Sequence, residues 1–93
     1  GWISLSPDGA KISFVRCFYR DDESCSLWIA DAKDGKNERK LVSRQRPFRI
    51  ADNQISPDGR KIAFAVGQSE TQANEFGLSE VEIESGKERE LSA

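Results

Sequence analysis

The chain contains one ten-residue passage twice, fifty positions apart. Residues 5–14 and 55–64 agree at seven of ten positions, and both contain Ser-Pro-Asp-Gly followed by Lys-Ile-x-Phe. The two copies agree again downstream, where Gly35-Lys36 and Gly86-Lys87 precede a Glu-Arg pair and a leucine. A repeat of this length is typical of an array of small, similar units that pack on one another, and not of a single globular core.

The composition excludes several classes of function. A length of 93 residues gives one small domain at most, and the net charge of −2 argues against general binding of nucleic acid or of an anionic membrane surface. No apolar run approaches the roughly 20 residues that a membrane-spanning helix needs, so we expect no membrane insertion. The chain has no histidine and only two cysteines. We therefore expect no catalytic site, no cofactor and no metal site within this chain.

Each unit divides into four short strand candidates separated by turns. The predicted strands of the first unit are residues 2–5, 11–19, 27–30 and 38–42, and those of the second are residues 50–55, 61–66, 76–83 and 88–91. The units occupy residues 1–43 and 51–93, and residues 44–50 form an irregular connection. No segment has a convincing helical pattern.

The Ser-Pro-Asp-Gly passages predict structural turns at Ser6, Pro7, Asp8 and Gly9, and at Ser56, Pro57, Asp58 and Gly59. Proline presets the backbone for the first central position of a tight turn. Asp8 and Asp58 could also serve a metal or acid–base site. The turn interpretation is favoured, because aspartate hydrogen-bonds turn amides and catalysis seldom needs the same residue once per unit.

The second strands carry apolar residues on both faces. In the first unit Ile12 and Phe14 lie on one face, and Val15 and Cys17 lie on the other. A pair of such units buries one face of each and leaves two outer faces bare, which monomers rarely tolerate. The third strands differ, since Ser79 and Glu80 stand where the first unit has Trp28 and Ile29. This change indicates that part of the strand is exposed to solvent or lies at an open edge of the sheet.

The repeated unit resembles a TolB-like, WD-repeat-like β-propeller blade. The resemblance rests on the Ser-Pro-Asp-Gly turns, the Lys-Ile-x-Phe strands, residues 27–35 and the closing Leu41-Val42, and it covers nearly the whole chain. It implies an all-β fold of two four-stranded antiparallel blades, with Trp28 packed between blades. Because a propeller has about 4–8 blades, two cannot close a ring. We therefore expect the partners to include copies of this chain or additional blades of a longer one.

The resemblance implies a function only in outline. Such blades occur in periplasmic translocation proteins, in the propellers of prolyl-oligopeptidase-type serine peptidases and in sensor regions of bacterial regulators. We expect a non-catalytic module that mediates protein or peptide interaction. The alternatives are a fragment of the substrate-gating propeller of a peptidase and a ligand-sensing propeller of a membrane-anchored regulator. The resemblance favours a periplasmic or other extracytoplasmic location.

One cluster of basic residues is the first candidate interaction surface. Arg44, Arg46 and Arg49 surround Phe48 in the connection between the units, where they could dock an acidic partner or a peptide carboxylate. The alternative is a solvated linker. Tyr19 and Arg20 lead into the acidic loop and form a second candidate, for which recognition and core packing are both open.

Cys17 and Cys25 flank that acidic loop. If residues 17–25 form a hairpin, the two side chains face each other and a cross-strand disulfide can form. The alternative is a pair of small buried apolar residues. Asp21, Asp22 and Glu23 lie between them, but they lack the spacing of a calcium-binding loop, so a solvated loop is the favoured interpretation.

Overall fold

Two four-stranded antiparallel sheets follow one another along the chain. The structure, a computed structural model, describes residues 3–20, 23–68 and 76–92. Strands neighbour each other in sequence order within each sheet, which confirms the predicted all-β fold. The first sheet contains β1 (Ile3–Leu5), β2 (Lys11–Arg20), β3 (Glu23–Asp31) and β4 (Arg39–Gln45), and the second contains β5 (Phe48–Ile55), β6 (Lys61–Gln68), β7 (Gly77–Glu82) and β8 (Glu88–Glu90). No described element is a helix that could cross a membrane.

The connection between the sheets is shorter than the sequence predicts. β4 continues to Gln45 because β3 is long enough to pair with it throughout, with Arg44 opposite Cys25. β5 then begins at Phe48, so that a turn of only two residues, Arg46 and Pro47, joins the sheets. The expected irregular crossing over residues 44–50 is instead mostly strand.

The two Ser-Pro-Asp-Gly turns have the same hydrogen bonds. The amide of Gly9 donates to the Ser6 carbonyl at 2.9 Å, and Asp8 Oδ1 accepts from the Ser6 hydroxyl at 2.6 Å and from the Ala10 amide at 2.9 Å. Gly9 has φ +75°, a conformation that favours glycine at the end of such a turn. The second turn repeats this arrangement around Asp58. These bonds, the serine hydroxyl first, lower the pKa of both carboxyls.

The hydrophobic core lies between the two sheets. Every second residue of the inner strands points into it, because side chains alternate across a strand. Phe64 and Leu27 are among its largest fully buried side chains, with 1% and 0% of their surface exposed. Burial of a side chain of this size stabilises the fold by about 1.5–3 kcal/mol. The buried cluster consists of Cys25, Leu27, Ile29, Val42, Ile50, Ile55, Ile62, Phe64 and Val81.

Polar contacts also join the sheets. The Ser13 hydroxyl donates to Asn53 Oδ1 at 2.5 Å, and both residues are buried. The amide of Ile55 donates to Ser4 Oγ at 3.0 Å. A buried polar group is costly unless it is hydrogen-bonded, so the Ser13–Asn53 pair also favours one alignment of the sheets over others.

The structure locates the residues that the sequence singled out in the third strands. Trp28 pairs with Phe14 on the outer face of the first sheet, away from the second sheet, so its packing against a further blade stays a prediction. Of the two alternatives for β7, the open edge is wrong, since the strand lies between β6 and β8, and the partly solvated strand remains, since Leu78 is 50% exposed. Ser79 and Glu80 are each half-buried within that sheet. Alternation along a strand identifies its two faces, but it does not say which face meets the neighbouring sheet.

Candidate interaction surfaces

The basic cluster at the connection is distributed over different surfaces. Arg44 is half-buried, and its Nη2 lies 2.5 Å from Glu88 Oε1 in the second sheet. Phe48 is 42% exposed and lies beside the same cleft as Arg44. Arg49 lines a separate cavity on the opposite side, and Arg46 lines neither of these two hollows. The structure therefore brings together Arg44 and Phe48, but not the whole cluster.

The other sequence candidates lie at the edge of what the structure describes. The side chains of Tyr19, Arg20 and Glu23 fall outside the described residues, as do Asp21 and Asp22 altogether. Cys17 lies opposite Cys25 in the β2–β3 ladder, and their sulfur atoms are bonded. Within residues 3–20, 23–68 and 76–92, no group of three or more His, Cys, Asp or Glu side chains is arranged to hold a metal ion.

A cleft of about 540 Å³ opens between the sheets next to β7. Its walls come from the end of β4, the start of β5, the end of β6 and the two last strands of the second sheet. The lining residues are Arg44, Phe48, Val66, Gly67, Gln68, Gly77, Ser79, Glu88, Arg89 and Glu90. An exposed aromatic ring, small residues and charges of both signs thus meet in one concave surface.

The equivalent place in the first sheet is filled. There the Arg16 guanidinium carbon lies 4.9 Å from the centre of the Phe14 ring and 4.7 Å from that of Trp28. The indole Nε1 donates to the Ser26 hydroxyl at 2.8 Å, and Lys40 Nζ lies 5.5 Å from the ring. This stack of one cation between two aromatic rings is a favourable arrangement.

In the second sheet the stack lacks its second ring. Phe64 takes the place of Phe14, and it pairs with Ser79 where Phe14 pairs with Trp28. The cation is supplied from the neighbouring sheet, since the Arg44 guanidinium lies 5.8 Å from the centre of the Phe64 ring. The exchange of tryptophan for serine was visible in the sequence. Its consequence, a cleft beside an arginine from another sheet, was not.

The outer faces of the two sheets are apolar and unlike each other. On the first, Ile3 and Leu5 are 63% and 59% exposed. On the second, Leu78 is 50% exposed and is accompanied by small residues such as Ala63 and Ala65. One face therefore carries large side chains, and the other is comparatively flat.

Comparison with known proteins finds solved structures with a similar fold, but no significant match by sequence. No protein-family model matches the chain, and no curated protein sequence matches it significantly. Among solved structures, TolB from Acinetobacter baumannii aligns with 97% of the chain at a TM-score of 0.70 and 17% identity. The β-propeller domain of the Trilobed protease from Pyrococcus furiosus, which has an open velcro topology, aligns with 97% at a TM-score of 0.67 and 22% identity.

A structure from a study of two prolyl endopeptidases aligns with 96% of the chain at a TM-score of 0.67 and 23% identity. The chain spans 20% of the TolB structure, 28% of the Trilobed protease propeller and 13% of the endopeptidase. Likeness at this level of identity shows the fold. The two sheets are two blades of a β-propeller.

Proposed function

We propose that these two β-propeller blades act as a non-catalytic protein-interaction module whose outer faces bind further blades, including those of a second copy of the chain. The observation that supports this proposal is the relation between the faces. Residues on the outer face of the first blade occupy the same repeat positions as residues on the inner face of the second blade. Likewise, residues on the outer face of the second blade occupy the same repeat positions as residues on the inner face of the first. The two outer faces can therefore meet as the two inner faces do.

Individual positions illustrate this equivalence. Leu5 on one outer face corresponds to Ile55, which is 5% exposed in the core. Leu78 on the other outer face corresponds to Leu27, which is fully buried. Two residues that are about half exposed in the isolated pair thus occupy positions that are covered wherever blades stack. Such exposed apolar patches mark interaction surfaces.

The polar pair of the inner interface has changed on both outer faces together. Inside, Ser13 bonds to Asn53. The equivalent of Ser13 on the second blade is Ala63, and the equivalent of Asn53 on the first is Ile3. If only one partner had become apolar, stacking would leave a buried polar group unpaired, at a cost of about 1–3 kcal/mol. Because both are apolar, a head-to-tail contact between copies is free of that cost.

The flat outer face also carries charged residues. Glu80 stands where Ile29 is buried in the first blade, and its carboxylate lies 2.8 Å from Arg89 Nη2 and 3.5 Å from Lys61 Nζ. The two cations offset its charge. Ala63 and Ala65 on the same face offer small side chains to the large side chains of a partner blade.

The proposal is tested by blocking one outer face at a time and measuring molar mass by light scattering on a sizing column. Head-to-tail contacts join unlike faces, so Leu5→Arg and Leu78→Arg should each abolish association. An equimolar mixture should nevertheless form a 1:1 pair, because each variant supplies the face that the other lacks. The wild-type chain should associate, and a closed ring of about six or eight blades would contain three or four chains.

Three results would contradict the proposal. The wild-type chain could remain monomeric at all concentrations, either variant could still associate, or the mixture could fail to pair. Since both leucines are exposed in the isolated chain, neither substitution should disturb its fold, and circular dichroism of the separate variants provides the control.

The non-catalytic part of the proposal has its own test. The lack of histidine supports it, since the commonest general base is missing from the chain. TolB and the prolyl endopeptidase align almost equally well, so the comparisons favour neither a scaffold nor a substrate-gating role in a longer protein. Reproducible hydrolysis of a proline-containing peptide by the purified chain, proportional to its concentration, would overturn the non-catalytic assignment.

A further inference from the structure

We infer that the cleft beside Ser79 binds the indole ring of a tryptophan on a protein or peptide partner. This inference goes beyond the proposed function, because neither Leu5 nor Leu78, the exposed leucines of the two outer faces, lines the cleft. The two hypotheses can therefore succeed or fail separately.

The first blade identifies the ligand chemistry. It holds an indole at this position of the repeat, with a cation on its face and a hydroxyl accepting from Nε1. In the second blade the cation beside the cleft is Arg44, whose guanidinium lies 5.8 Å from the centre of the buried Phe64 ring. This blade lacks the tryptophan, replaced by Ser79, and the hydroxyl of Ser26, replaced by Gly77, and a cleft lies at this position.

The lining residues suit an incoming aromatic side chain. Gly77 replaces Ser26 and contributes no side chain, which widens the cleft where the indole edge would enter. A Cβ at Gly77 would meet only a backbone oxygen of Ser92, at an ordinary contact distance of 3.5 Å. Phe48 stands at the rim with 42% of its surface exposed, so it can cover a bound ring from the side.

Arg44 is fixed in a position from which it can contact the ring. Its guanidinium is bonded to Glu88 of the second blade, at 2.5 Å from Nη2 to Oε1. A cation that is already held loses little further freedom when an aromatic ring stacks on it. Arginine is also the cation that stacks best on aromatic rings, since its guanidinium is planar and weakly hydrated.

Two described aromatic residues lie near the cleft, and neither takes the place that Trp28 has in the first blade. Phe48 stands at the rim, whereas Phe76 precedes β7. Its ring packs over Gly67, so tightly that a Cβ there would overlap it, and it lines the separate cavity with Val15 and Cys17. The ring that completes the stack must therefore come from elsewhere than the described residues.

The binding experiment uses N-acetyl-L-tryptophanamide, with N-acetyl-L-alaninamide as the comparison ligand. Two-dimensional ¹H–¹⁵N NMR of the labelled full chain follows the amides during titration. We expect saturable shifts centred on Phe48, Gly77 and Ser79, and binding of the alanine analogue weaker by about tenfold or more. Shifts that do not saturate, or that are the same for both ligands, would overturn the inference.

Two variants connect the binding to the cleft. Ser79→Trp should fill the cleft with its own indole and abolish the shifts, whereas Ala10→Trp, which adds an indole at an exposed turn, should leave them unchanged. Arg44→Gln keeps much of the side chain but removes the charge, and should weaken binding about threefold to tenfold.

Arg44→Gln keeps the inference testable even if Ser79→Trp misfolds. If Ser79→Trp does not fold, Arg44→Gln and the shift map of the wild-type chain still decide the question. Unchanged affinity in Arg44→Gln, or unchanged shifts in a folded Ser79→Trp chain, would contradict the inference. Loss of binding only in the outer-face variants Leu5→Arg or Leu78→Arg would also contradict it, since it would place the ligand on those faces.

Discussion

The repeat provides a matched pair of phenylalanines for testing which faces of the blades meet. Phe14 and Phe64 occupy the same position of the two copies, but Phe64 is 1% exposed between the blades whereas Phe14 is half-buried on the outer face. Truncation of a buried phenylalanine to alanine costs about 3–5 kcal/mol. Truncation of Phe14 loses partial burial and one contact with Arg16, which together give about 1–2 kcal/mol.

These losses are large relative to the stability of a small domain. At about 0.05–0.15 kcal/mol per residue, a chain of 93 residues has a free energy of unfolding of about 5–14 kcal/mol. Phe64→Ala should therefore remove a substantial fraction of it. With a denaturant slope of about 1–3 kcal/mol per molar urea, the midpoint should fall by about 1 M or more.

The assay is urea unfolding followed by circular dichroism, at a chain concentration where light scattering shows monomers. Monomers are required because association would bury Phe14 as well, and the stability losses of Phe14→Ala and Phe64→Ala would then become more alike. Equal losses of stability in Phe14→Ala and Phe64→Ala, with unchanged slopes, would refute the assignment of the Phe64 face to the contact between blades.

Three further predictions concern the disulfide and the turns. Intact-mass measurement should differ by two hydrogens with and without reductant if Cys17 and Cys25 are bridged, and identical masses would refute the bridge. The pKa values of Asp8 and Asp58 are lowered in the folded state, so their stabilising contribution is present above the unfolded value of about 3.9 and is lost as the pH falls through the folded values. Replacing both by asparagine should flatten the pH dependence of unfolding below pH about 4, and an unchanged profile would contradict this. Gly9→Ala should cost about 1–2 kcal/mol for its φ of +75° alone, since its Cβ would meet nothing, and an unchanged urea midpoint would argue against that backbone conformation.

The local structure was largely predictable from the sequence. The two Ser-Pro-Asp-Gly turns were predicted because their residues dictate the backbone locally, through the fixed φ of proline, the freedom of glycine and the short reach of aspartate. The strands around Ile12 and Ile62 were predictable from the alternation of apolar residues. These features depend on neighbours within a few positions, which the sequence shows directly.

The orientation of the blades was not predictable in the same way. Phe14 and Phe64 have the same local sequence, yet one faces the other blade and the other faces outward. Which face meets the neighbour depends on the order of blades in the array, and no residue close to either phenylalanine carries that information. The strand pairing of Arg44 was missed for the same reason, because it depends on long-range packing.

Departures from the repeat underlie both proposals, and this chain has two kinds. At the inner interface Ser13 and Asn53 pair, and their equivalents Ala63 and Ile3 are both apolar, so the two sides of the proposed contact between copies match. A paired change of this kind keeps the two outer faces complementary to each other, as a contact between the blades of two copies would require. At Ser79 a large ring is lost and no described side chain takes its place, so the change is unpaired. The unpaired change leaves a cleft between the two blades with the Arg44 cation beside it. The two proposals therefore concern different partners, and a variant that abolishes blade association should leave indole binding intact.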